Sequence, residues 1–150
     1  MQLIRHLTPE LVWQERWMNH ANKAVALEEA ILCAAEPAET AARLSRVAGL
    51  PVEPDPAGGF VLRLPGAARA AGPFAEVMET RVRVLPEAAL PEVLPGVRAP
   101  VSPYMAGIVV RTSDGGAAAR QVLAGIPTGQ APGGLMVPPE HAAGAAVVFA

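Results

Sequence analysis

Apolar and polar positions alternate along the chain in short runs, and the runs come in two similar sets. Residues 24–34 alternate with period two: Leu27, Glu29, Ile31 and Cys33 form one face, Glu28, Ala30, Leu32 and Ala34 the other. That is the signature of a strand. Residues 36–49 change to helical spacing, with Pro37 at the first position, Ala41, Leu44 and Val47 as an apolar stripe, and Gly49 as the stop. Extended pieces are expected at 50–54, 59–64 and 79–85, with a long loop between the last two.

The same order returns further on. "YMAGIVVRTSD" reads as a strand, and "DGGAAARQVLAG" as a helix capped by Asp114 and stopped by Gly125. "IPTGQ", "GLMVPP" and "GAAVVFA" read as three more strands. Between the two sets, residues 86–103 hold five prolines and are expected as a linker, with a helical turn over 87–94. The organisation expected is a helical arm over 1–23, a βαβββ module over 24–85, the linker over 86–103 and a second βαβββ module over 104–150, all in one domain. Repetition of a supersecondary unit is the most informative signal in this chain. The fold class expected is α+β, with helices covering one face of each sheet and the other face buried or forming a cup.

In the arm, Thr8-Pro9 opens a short helix expected over 8–22. Trp13 and Trp17 are spaced i, i+4 on one of its faces and are expected to dock it. His20, two residues before Asn22, is either a rim residue or part of the turn into the first strand.

Composition narrows the function classes. The chain has 150 residues and a formal charge of −2, with acids and bases mixed. There is no basic stripe to track phosphates, so no nucleic-acid partner is expected. No apolar run approaches the roughly 18 residues of a membrane span, and the N-terminus lacks signal-peptide features. No membrane partner and a cytoplasmic location are therefore expected. A single cysteine, Cys33, excludes an internal disulfide and a cysteine-based zinc site.

Four segments carry a resemblance: "ERWMNHAN", "ILCAAEPAETAARLSRVAGLP", "LPGVRAPVSPYMAGIVVRTSD" and "LMVPPEHAAGAAVVFA". In order and spacing, the chain resembles the glyoxalase-like domain family of the vicinal oxygen chelate superfamily, which includes glyoxalase I, extradiol dioxygenases and bleomycin-resistance proteins. The resemblance implies two βαβββ modules whose curved mixed sheets form a cup around one pocket. In metal-using members, ligands come from the first and last strands of each module. The first-strand position lies seven residues before the acid that opens the helix, which gives Glu29 before Glu36 and Gly107 before Asp114. The last-strand positions fall near Arg83 and Val148.

Only one of these four offers a ligand, so no metal and no other cofactor is expected. Glu29 and Arg83 are expected to pair at the floor of the cup, where a metal would otherwise sit. Glu28 is expected to point away, as the solvated end of the strand. Ile31, Cys33, Met105, Val148, Trp17 and His20 complete the residues expected to line the pocket. The function implied is a metal-free protein that binds a small apolar or aromatic molecule and associates as a homodimer. A diverged lyase, isomerase or dioxygenase-like enzyme, and a non-catalytic interaction half of a larger assembly, stay open as alternatives. No catalytic residue is assigned.

Overall fold

The computed structural model describes residues 7, 8, 11, 14–66 and 79–150. Trp13, much of the N-terminal arm and residues 67–78 of the long loop lie outside that set. Of the helix expected over 8–22, the described residues show a helical Leu11 and the turn α1 (Glu15–Met18).

The first module runs β1 (Ala24–Cys33), α2 (Pro37–Ala48), β2 (Glu53–Pro54), β3 (Phe60–Leu64) and β4 (Thr80–Leu85). The second runs β5 (Tyr104–Thr112), α4 (Ala117–Val122), β6 (Gly129–Ala131), β7 (Gly134–Val137) and β8 (Ala146–Phe149). The connector between them holds a 3-10 turn (Glu87–Ala89) and α3 (Leu90–Val93). All eight strands join one mixed, curved sheet in the order β2-β3-β4-β1-β5-β8-β7-β6. Each module therefore places its fourth strand parallel to its first, and β1 and β5 join the halves antiparallel. The architecture is α+β and built from two βαβββ units, as the repeat implies. Among the described residues, no helix is long and apolar enough to cross a membrane.

Strand alternation sorts side chains between the two faces. On one face, Ala34, Leu62 and Val84 pack against Ala41 and Leu44 of α2. On the same side of the second module, Leu135, Val137 and Phe149 pack against Ala119 of α4. Helix α2 has Pro37 in its first turn and ends at Gly49, whose left-handed backbone lets its N–H reach the Ser45 carbonyl at 2.8 Å. Asp114 caps α4 in part, accepting the Ala118 N–H at 2.9 Å, but the helix begins only after the left-handed Gly116.

The opposite face is covered in part by the connector. Leu90, Leu94 and Val97 are buried against Ile31, Cys33, Leu85, Ala146 and Val148. The proline-rich segment expected as a linker is thus part of the core. Its prolines interrupt regular structure without keeping the leucines between them from packing. The rest of this face is open and forms a cleft.

Candidate functional site

The cleft has a volume of about 600 Å³. One wall comes from the first module and is charged: Glu28, Glu29, Asp55, Arg63, Arg81 and Arg83. The other comes from the second module and is apolar: Val109, Pro132, Gly133, Val148 and Ala150. Glu92 and Val93 of the connector border it.

Alternation on β4 points Arg81, Arg83 and Leu85 to the cleft face, while Val82 and Val84 pack on the helix side. Parallel pairing sets Glu29 beside Arg81 and Ile31 beside Arg83. Glu29 Oε1 lies 2.6 Å from Arg81 Nη2, and Glu29 Oε2 lies 3.4 Å from Arg83 Nη1. Arg83 also reaches the turn between β2 and β3. Its Nε and Nη2 donate to the two oxygens of Asp55 at 2.7 and 2.8 Å. Asp55 holds that turn by accepting the Ala57 N–H at 2.9 Å, and its backbone N–H donates to the Gly59 carbonyl at 3.1 Å. Gly59 has φ +88°, and a Cβ there would sit 2.3 Å from the Val84 carbonyl oxygen, so this close turn admits only glycine.

Burial by itself pushes the Asp55 carboxyl up. The Arg83 hydrogen bonds, the Ala57 amide and the charges of Arg83 and Arg81 outweigh it and hold the group below the usual carboxylate range. The same bonds to Asp55 raise Arg83, against the opposing effect of its burial.

Glu28 does not point away from the cleft. Its carboxylate accepts from Arg81 Nη2 at 3.1 Å and Arg111 Nε at 3.0 Å. The reason is an irregularity in the β1–β5 ladder. Leu27 opposes Val110 and Glu29 opposes Val109, so Glu28 is an extra residue without a partner of its own. Such a bulge breaks the alternation and re-aims a side chain. The Arg111 hydrogen bond is the largest influence on Glu28; together with both arginine charges it lowers the carboxyl despite partial burial.

The structure brings Glu29, Arg83, Ile31 and Val148 together at the cleft. It does not bring Cys33, Met105, Trp17 or His20 there. Cys33, two residues beyond Ile31, is sealed under the connector in the cluster of Leu85 and Leu90, and burial raises its thiol pKa. Met105 opposes Leu32, a helix-side residue, because β5 slips by one position between Gly107 and Met105. Its side chain is left 43% exposed. Trp17 is 64% exposed, with the Arg16 guanidinium 4.8 Å from its ring centre. His20 is exposed in a turn where its carbonyl accepts the Lys23 N–H.

The donor set does not fit a divalent ion. Both oxygens of Glu29 already hold guanidinium groups. At the matching positions Arg83 brings a cation, Gly107 no side chain and Val148 an aliphatic one. A Cβ on Gly107 would meet the Ala146 carbonyl oxygen at 2.8 Å and Leu94 Cδ1 at 3.0 Å, so the backbone approach there depends on the missing side chain. Among the described residues, no group of three or more His, Cys, Asp and Glu side chains is placed to hold a metal.

No protein-family model matches the chain. No curated protein matches it significantly. Among solved structures, it is similar to the crystal structure of methylmalonyl-CoA epimerase from Mycobacterium tuberculosis, at 14% identity and a TM-score of 0.47, over 89% of this chain and 92% of that one.

Asp55, Arg81 and Arg63 are the charged cleft residues, beside Glu28 and Glu92, that sequence reasoning did not place there. A signal existed for the arginines: Arg81 and Arg83 alternate with valines in "ETRVRVL", which marks a charged strand face. For Asp55 the sequence shows only a turn.

Proposed function

We propose that this protein binds a small molecule with an apolar or aromatic body in the cleft, without a metal ion. The observation that carries the reading is the cleft itself. Its volume of about 600 Å³ lies in the range of small-molecule sites, and one wall is apolar. The arginine–carboxylate network at its charged wall takes the place that a metal centre has in the metal-using proteins the sequence resembles. A homodimer belongs to the same reading. The edge strands β2 and β6 end the sheet, and exposed Trp17 offers a contact surface.

The test is a thermal-shift screen of small aromatic and aliphatic compounds, run with and without added Mn²⁺, Ni²⁺ and Zn²⁺. Specific binding stabilises the folded state by mass action. The expected result is a set of stabilising compounds whose shifts do not change with metal and vanish in Gly133→Trp, whose side chain would start in ordinary contact with Val148 and Val109 at the apolar wall. Stabilisation by metal alone, or compounds that act equally on a folded Gly133→Trp protein, would overturn the reading. Light scattering that returns a monomer would remove the dimer.

A further inference from the structure

The hydrogen-bonding capacity of the cleft is unevenly used. Each oxygen of Glu28, Glu29 and Asp55 already accepts from an arginine. Arg83 is used on all three nitrogens, with Nε and Nη2 on Asp55 and Nη1 on Glu29. Arg81 differs. Only its Nη2 is engaged, shared between Glu28 and Glu29, and 36% of the side chain is exposed. A guanidinium carries five donors, so Arg81 keeps N–H groups on Nε and on Nη1; these lie on different edges of the group and act as single donors. Arg63 directly opposes Arg81 on the neighbouring strand. It uses Nε on Glu53 and Nη1 on Glu79, leaving Nη2. Both arginines line the cleft that also carries the apolar wall.

Two arginines side by side on adjacent strands repel one another, and such pairs are disfavoured unless something offsets them. The acids that pair with them neutralise charge but leave donors unfilled. A ligand that offers acceptors and negative charge meets these free N–H groups; one that offers donors has to share carboxylate oxygens that already hold guanidinium groups. Glu92 is the exception, an exposed carboxylate on the connector at the border of the cleft.

We infer that the ligand is a small organic anion, a carboxylate in the simplest case. Its charged head accepts one N–H from Arg81 and one from Arg63 opposite it, and its apolar body lies against Val109, Pro132 and Val148. This inference rests on the proposed binding role of the cleft and adds the ligand's chemical class. Hydrogen bonds from a guanidinium to a carboxylate are of the strong, charge-assisted kind, and each oxygen of the head can take one.

A charge-matched series tests it: phenylacetate, 2-phenylethanol and 2-phenylethylamine, with hexanoate, hexanol and hexylamine as the aliphatic set. Each is titrated calorimetrically into the full-length protein at low and high ionic strength. The expected result is that a carboxylate binds at least about tenfold more tightly than its alcohol, that salt weakens it, and that the amine is weakest. In Arg81→Gln the carboxylate falls to the level of the alcohol, whose own affinity does not change. Arg63→Gln, at a more exposed site, gives a loss of roughly threefold and serves if Arg81→Gln does not fold. An alcohol or amine that binds as tightly as the carboxylate overturns the inference, as does undiminished carboxylate affinity in a folded Arg81→Gln or Arg63→Gln protein. If only uncharged compounds from the screen bind, the binding role stands and the anion inference falls. If nothing binds, both fall.

Discussion

Arg83 and Asp55 form a two-point ion pair, at 2.7 and 2.8 Å, between the fourth strand of the first module and a turn 28 residues earlier in the chain. The Asp55 side chain is only 3% exposed and that of Arg83 16%. Removing one partner of such a pair strands a buried charge, which costs more than the pair itself contributes. Asp55→Ala is therefore expected to destabilise the protein by roughly 3 kcal/mol in urea unfolding. The double variant Asp55→Ala/Arg83→Met should recover part of the loss. A double variant no more stable than Asp55→Ala would show that the stranded arginine is not the cause.

Acid should find the same network. The native carboxyls of Asp55 and Glu28 are held below their ordinary values. A group depressed in the folded state contributes stability that is complete above its unfolded pKa and is lost as pH falls through its folded one. The contribution from these two groups should stay level from neutral pH down to about 5 and fall below about 4, the ordinary carboxylate range. Urea midpoints measured across pH 3 to 7 check this. Arg83→Met should flatten the acid limb, since Asp55 then loses its principal partner.

The connector between the modules is predicted to behave as core. Leu90 is fully buried. Leu90→Ala should cost about 2–5 kcal/mol, the range for large-to-small changes at closed sites. A loss below 1 kcal/mol would mean that the connector can leave the sheet without consequence.

Gly107 is a packing position. With its Cβ set 2.8 Å from a backbone oxygen and 3.0 Å from Leu94, Gly107→Ala should destabilise by about 1–3 kcal/mol. Leu94→Ala would open the side-chain contact but not the backbone one, so the pair should remain less stable than Leu94→Ala alone. Equal stability would place the clash with Leu94 only.

Much of the fold was legible before any coordinates. The period-two run of β1, the capped stripe of α2 and their return in the second half are local properties of the chain, and local sterics are enough to produce them. The resemblance to a known family pointed to Glu29 by a count back from Glu36 and to the neighbourhood of Arg83 on the last strand. Met105 shows the limit. Counting by twos assumes an unbroken ladder, and β5 slips opposite Leu32.

The sequence by itself determined which residues form strands and helices, that the unit repeats, and that an acid on the first strand and arginines on the fourth form charged faces. Only the tertiary structure decided what meets what. Glu28 turns to the cleft because β1 carries one residue more than its neighbour at that point, and a bulge belongs to a pair of strands, not to one. Asp55 becomes the main partner of Arg83 because the sheet order brings the β2–β3 turn over β4, a distance no spacing rule measures. The connector enters the core because the sheet leaves an uncovered apolar face that the intervening leucines can fill. Each of these depends on burial and pairing between distant segments, which local alternation does not encode.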